Sequence, residues 1–202
     1  GLLGDSLSEG AGGTPRWTSL LFDTTLSTTG LNLSRLTDFE YVNHAVGGQT
    51  SHHGMVQLGR AVKSSSSKQT DTVITYTPYY DNVKYTPTIL KDSGILMANY
   101  DLVFVEYSAN GGTYNLGFIE NIVRRLRKNG SEVVILTSNP RSDNYNFLLS
   151  EGKVMSQIAD AYGCELIDTW AYVRELIDAG VAVHTDSIHM NAAGHLGWAK
   201  AV

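Results

Sequence analysis

Near the start of the chain, GLLGDSLSEGAGG sets one hydroxyl, Ser6, just after two leucines and a Gly-Asp pair. Near the end, HTDSIHMNAAGH carries Asp186 and His189 three positions apart. A serine hydroxyl is nearly inert at neutral pH until a base takes its proton. Three-residue spacing on a turn lets a carboxylate reach the imidazole nitrogen that faces away from the serine. That contact fixes the tautomer and stabilises imidazolium while the other nitrogen acts as the base. The residue types therefore suit nucleophilic acyl transfer, provided that the two ends of the chain meet.

Such chemistry also needs donors aimed at the oxyanion, each worth about 100- to 1,000-fold in rate. Two stretches can supply them. NHAVGGQTS (43–51) holds Gly47 and Gly48, and a glycine lets its backbone N–H approach a ligand closely. VEYSANGG (105–112) presents the amide side chain of Asn110 just after an apolar run.

The elements that must position these groups follow from the hydrophobic pattern. LVFVEY (102–107), VVIL (133–136) and ELI (165–167) read as buried parallel strands. Gly1–Leu3 looks like the remnant of a first strand, and Tyr41-Val42 like a short second one. Helices are expected from near Pro15 through WTSLLFDTTL, from Leu116 to Lys128, and at about 145–162, 169–179 and 191–202. Asn191 is placed to cap the last of these. Alternation of this kind predicts an α/β sandwich around a parallel sheet. In open α/β sheets, sites form beyond the carboxyl ends of the strands, where Ser6, Gly48 and Asn110 all fall.

The ordered set GDS, NxAxxGxT, an Asn after a strand and DxxH near the end resembles the SGNH (GDSL-type) hydrolase family. The likeness runs from residue 4 to the last helix. It implies Ser6 as nucleophile, His189 as general base and then acid, and Asp186 as its orienter. The Ser6 N–H, the Gly48 N–H and the Asn110 side chain would form the oxyanion hole. Gly48 is chosen over Gly47 because it stands two residues before Thr50, as in the family pattern. The resemblance also implies a three-layer, flavodoxin-like α/β/α sandwich with five parallel strands, and neither metal nor organic cofactor. One block departs from the family: Ser108 and Gly111 stand where Gly-x-Asn-Asp has its first and last residues.

Residues 63–94 break the rhythm. This polar stretch, rich in Ser, Thr and Tyr, reads as an insertion on one domain spanning 1–202, and TVITYT inside it suggests a small strand or hairpin. Its Tyr76, Tyr79, Tyr80 and Tyr85 suit sugar stacking or acyl packing, and equally a satellite core or a protein-binding surface. Asp5, Tyr79, Tyr80 and Arg141 are the substrate-binding candidates, although Arg141 also fits a solvated loop. Glu106, inside an apolar strand, requires a hydrogen-bond partner and reads as structural. Asn43 reads as a turn-stabilising residue. His52 and His53 read as exposed loop histidines. His44, His184 and His195 lack metal-ligand grouping.

Composition narrows the partners. With 202 residues and 42% hydrophobic content, the chain can bury a full core. Its 15 basic and 20 acidic residues give a net charge of −5, which provides no footprint for nucleic acid or an anionic membrane. No apolar run is long enough to span a bilayer. The chain shows no leader pattern, and it begins almost inside a strand, as a processed protein or a piece of a larger extracellular one would. A single cysteine, Cys164, precludes an intrachain disulfide and reads as a buried inert thiol. The expected activity is ester hydrolysis, with O-acetyl groups on carbohydrate favoured as substrate. Longer acyl chains, as in a lysophospholipase or thioesterase, are the alternative enzyme reading. A non-catalytic carbohydrate- or surface-binding module is the alternative class. Nothing in the motifs speaks to oligomeric state.

Overall fold

The computed structural model describes residues 1–22, 41–59, 61–63, 88–90, 95–107, 109–110, 114–144, 146 and 148–202. Its centre is a parallel sheet built from β1 (Leu2–Leu3), β4 (Leu102–Val105), β5 (Glu132–Leu136) and β6 (Glu165–Ile167), in that spatial order. Leu2 sits opposite Phe104 and Leu3 opposite Val105, so both faces of the sheet carry apolar side chains. Side-chain alternation along a strand then divides the core in two. Leu3, Val103, Val105 and Ile135 pack on one face against Ile119, Ile122 and Leu126. These last three come from α5 (Tyr114–Lys128), and Met155 and Ile158 of α6 (Leu149–Tyr162) join them. Leu2, Phe104 and Leu136 pack on the other face with Trp17 of α2 (Trp17–Phe22), Val173 of α7 (Thr169–Asp178) and Trp198 of α8 (Ala192–Ala201). This is the expected α/β/α sandwich.

Among the described residues the sheet has four strands where five were expected. The segment at Tyr41-Val42 does run parallel to β1, but only through an isolated bridge between Asn43 and Leu2. The Leu2 amide donates to Val42 O at 3.0 Å, and the His44 amide to Leu2 O at 2.8 Å. Asn43 bends the chain there, its Oδ1 accepting from the Ala45 amide at 2.9 Å, and a single further bond follows, from the Val46 amide to Gly4 O at 3.1 Å.

The expected helices appear with small boundary shifts, the end of the first, past Phe22, lying outside the described residues. Asn191 caps α8, its Oδ1 accepting from the Gly194 amide at 3.0 Å. Besides a short helix ahead of β4, two helices were not foreseen. One is the single turn α1 (Ser6–Glu9), capped by Asp5. The other is α3 (Ser51–Gly59), which corrects the reading of His52 and His53 as exposed loop residues. His53 is fully buried and His52 half-buried against Phe118. A glycine in mid-helix and two histidines weaken the local helical signal, so only packing on the sheet defines this element. Around the insertion, β2 (Ala61–Lys63) and β3 (Thr88–Leu90) pair antiparallel, with Val62 opposite Ile89. A further short helix, α4 (Ile95–Ala98), leads into β4. TVITYT and the four insertion tyrosines lie outside the described residues.

Candidate active site

Both ends of the chain meet at the carboxyl edge of the sheet. Trp17 and Trp198, from α2 and α8, are fully buried against each other with ring centroids 5.4 Å apart. The Trp17 indole donates to Leu7 O at 3.1 Å, which ties α1 to the same contact. Closer in, the GAGG stretch lies against the segment that carries the histidine. The Gly13 amide donates to Met190 O at 2.7 Å. Gly12 adopts φ +111°, and a Cβ there would stand 2.2 Å from Met190 O. Only glycine permits that approach.

The result is a linear relay. The Ser6 Oγ and His189 Nε2 atoms are 3.0 Å apart, and His189 Nδ1 lies 2.7 Å from Asp186 Oδ2. An ionised carboxylate cannot donate, so Nδ1 carries the hydrogen and Nε2 accepts from the serine hydroxyl. The other oxygen, Asp186 Oδ1, accepts from the Ile188 and His189 amides at 2.8 and 2.7 Å. Burial pushes the Asp186 carboxyl up, but the His189 ring and these amides outweigh it and hold the pKa at about 2. The surrounding loop is pinned as well. Fully buried Asn139 donates to Ile188 O at 2.8 Å, and the Thr185 amide donates to His189 O at 2.8 Å. Such a geometry can deprotonate the serine hydroxyl while imidazolium is held in place.

The three expected oxyanion donors border the same cleft. The Ser6 amide is in the first turn of α1, whose leading N–H groups have no partner inside the helix. Gly48 has φ +73°, a left-handed conformation that favours glycine, and open space lies where its side chain would be. The turn is tied to α1, since the Gly47 amide donates to Glu9 Oε2 at 2.8 Å. The Asn110 amide nitrogen donates to Gln49 O at 3.2 Å, which links the second and third blocks across the cleft. Ser6, Gly48, Ala109, Asn110, Arg141, Ile188 and His189 together line an open cleft of about 260 Å³.

The remaining candidates divide. Arg141 is at the cleft rim, paired through two nitrogens with Asp143 at 2.7 and 2.8 Å. Asp5 is not in the cleft: it is fully buried beneath α1, so the expectation that it borders substrate is corrected. The cap it forms turns its side chain inward. Tyr79 and Tyr80 lie outside the described residues. Glu106 is fully buried and accepts from two serines. Asn43 bonds backbone on both sides, donating to Ser8 O at 3.1 Å as well as capping its own turn. Cys164 is half-buried rather than buried, and burial pushes its thiol pKa up. Among the described residues, no three His, Cys, Asp or Glu side chains gather as metal ligands do. Sequence reasoning missed Glu9 and Gln49, whose part in the site depends on tertiary contacts with no local signature.

The model for the GDSL-like lipase/acylhydrolase family matches residues 2–196. Among curated proteins, none matches the chain. Several solved structures share the fold. Axe2, an acetylxylan esterase from Geobacillus stearothermophilus, is 15% identical with a TM-score of 0.66, covering 99% of this chain and 90% of its own. LAE5, an alpha/beta hydrolase enzyme from the metagenome of Lake Arreo, is 15% identical with a TM-score of 0.68 and the same coverage. A member of the lipolytic protein G-D-S-L family from Veillonella parvula is 11% identical with a TM-score of 0.65, covering 99% of this chain and 93% of its own.

Proposed function

The chain belongs to the GDSL-like lipase/acylhydrolase family and is a carboxylic ester hydrolase; on that premise we propose that it removes short acyl groups, O-acetyl on carbohydrate above all, through a Ser6–His189–Asp186 triad. The observation that carries this reading is the alignment of Ser6 Oγ, the His189 ring and the Asp186 carboxylate at 3.0 and 2.7 Å.

In the proposed reaction, Ser6 Oγ attacks the ester carbonyl and its proton passes to His189 Nε2. The Ser6 and Gly48 amides and the Asn110 side chain hold the oxyanion. As the carbon–oxygen bond to the alcohol breaks, imidazolium returns its proton to the departing oxygen. Water then gives a proton to the same nitrogen and attacks the acyl carbon. Collapse restores the Ser6 hydroxyl and releases the acid.

Two further features support the substrate class. Drug-sized ligands occupy pockets of about 300–1,000 Å³, so a cleft of about 260 Å³ among the described residues suits a small acyl group. The similar fold of an acetylxylan esterase points the same way, and solved catalytic mutants of Axe2 replace a serine, a histidine and the aspartate three positions before that histidine.

The test is a series of aryl esters of increasing acyl length, run beside acetylated polysaccharide. The acetyl ester should give the highest kcat/KM, and acetate should be released from the polymer. An optimum at medium or long chains removes the short-acyl assignment. An organophosphate should leave its adduct on Ser6 of the folded protein; mass spectrometry finding none would mean that catalysis does not run through this serine.

The donor assignment has its own test. Asn110→Ala should lower kcat by about 100- to 1,000-fold, with thermal unfolding close to that of the parent. A variant with undiminished kcat takes Asn110 out of the oxyanion hole.

A further inference from the structure

We propose that Asp5 and Glu106 hold one proton between them, and that this buried acid–carboxylate pair is a positioning device for Ser6 and Asn110. The inference rests on the reading of Ser6 as nucleophile and of Asn110 as oxyanion donor.

Both side chains are fully buried. Asp5 Oδ1 accepts from the Leu7 amide at 2.9 Å, and the carboxyl also accepts from the Ala109 amide. Asp5 Oδ2 is buried with no protein donor. Opposite it, both oxygens of Glu106 receive hydroxyls: Oε2 from Ser8 at 3.0 Å and Oε1 from Ser138 at 2.5 Å. Every donor to the pair that these bonds supply is neutral. Two ionised carboxylates side by side in a dry interior are strongly disfavoured, and sharing one proton removes the conflict. That proton also gives Asp5 Oδ2 the hydrogen bond that no protein donor supplies. Burial first, and then the Glu106 charge, raise the Asp5 carboxyl well above the ordinary carboxylate range against the pull of the two amides.

The bonds reach the turn that carries Ser6 and the loop that carries Asn110. Leu7 and Ser8 follow the nucleophile in α1. Ala109 precedes Asn110. Glu106 is the residue after β4, and Ser138 lies two residues past β5. A shared proton therefore joins the nucleophile turn and the donor loop to the ends of both central strands. Asp5 and Glu106 touch no substrate; they act through Ser6 and Asn110.

Infrared spectroscopy in heavy water tests the proton directly. Near neutral pH, where unperturbed aspartate and glutamate are ionised, the wild-type protein should show the carbonyl stretch of a protonated carboxylic acid. Asp5→Asn and Glu106→Gln should each abolish it. Kinetically, Asp5→Ala should lower kcat by about 100-fold with KM little changed, the loss expected when reacting groups are slightly misplaced. Asp5→Asn, whose amide can donate where the shared proton did, should recover part of that loss. A wild-type spectrum without the band overturns the shared proton and needs no variant to fold. A folded Asp5→Ala variant with wild-type kcat overturns the positioning role. Organophosphate labelling of Ser6 fails or succeeds independently of the infrared band, so the two readings can fall separately.

Discussion

Ser6→Ala should lower kcat for ester hydrolysis by about a million-fold, the loss seen when a triad nucleophile is removed from a serine hydrolase. The substitution deletes one oxygen whose only structural partner among the described bonds is His189 Nε2, at 3.0 Å. The local fold has other anchors: Asp5 caps α1, and the Trp17 indole holds Leu7 O. Thermal unfolding should therefore stay close to the parent, and ester binding with it. Turnover should not vanish altogether. The proposed Gly48 and Asn110 donors remain, and oxyanion stabilisation with substrate binding leaves about 1,000- to 10,000-fold over water when a triad member is lost. A further His189→Ala change should then cost little, because a base without its nucleophile has nothing to activate. Single-turnover kinetics on the acetyl ester measure all of this. Substantial retained activity in Ser6→Ala would defeat the nucleophile assignment.

Much of the fold was legible because its signals are local. LVFV and VVIL are apolar at successive positions, as strands buried on both faces must be, and both lie in the central sheet. Ile119, Ile122, Val123 and Leu126 recur at helical spacing and all face one core. The candidate site was legible for a different reason. A carboxylate that must reach the far nitrogen of an imidazole has few short-range spacings available, so DxxH is visible in sequence. The 183-residue separation between Ser6 and His189 leaves no such trace. Their approach depends on Gly12 and Gly13 lying against Met190, and on Trp17 meeting Trp198, which are contacts between opposite ends of the chain. Helix α3 and the truncated strand at Asn43 were hidden likewise, since packing and a single side-chain bond decide them over local propensity. Asp5 shows the converse hazard. It stands next to Ser6 in sequence, whereas the cap geometry sends its carboxyl into the core.

Asp186→Asn should lower kcat by about 10,000-fold while leaving the loop in place, through the tautomer it imposes. In the parent, Oδ1 accepts from the Ile188 and His189 amides, so an asparagine carbonyl there keeps both bonds. The amide nitrogen then takes the position of Oδ2, 2.7 Å from His189 Nδ1. An amide N–H can only donate, so Nδ1 must accept, and the ring hydrogen moves to Nε2. Nε2 can then no longer accept the Ser6 proton. The imidazolium that forms in the reaction also loses its counter-charge. Acid behaviour checks the same arrangement. The Asp186 carboxyl is held down from 3.8 to about 2, so the parent carboxylate stays ionised until strongly acid pH. A depressed carboxyl stabilises the fold above its ordinary pKa and loses that contribution only as pH falls through the folded value. The fold around Asp186 should accordingly stay intact at mildly acid pH, read by near-ultraviolet circular dichroism. Loss of that signal at mildly acid pH would break the assignment of a depressed carboxyl, and an Asp186→Asn variant within about tenfold of the parent would break the link between this carboxylate and the base.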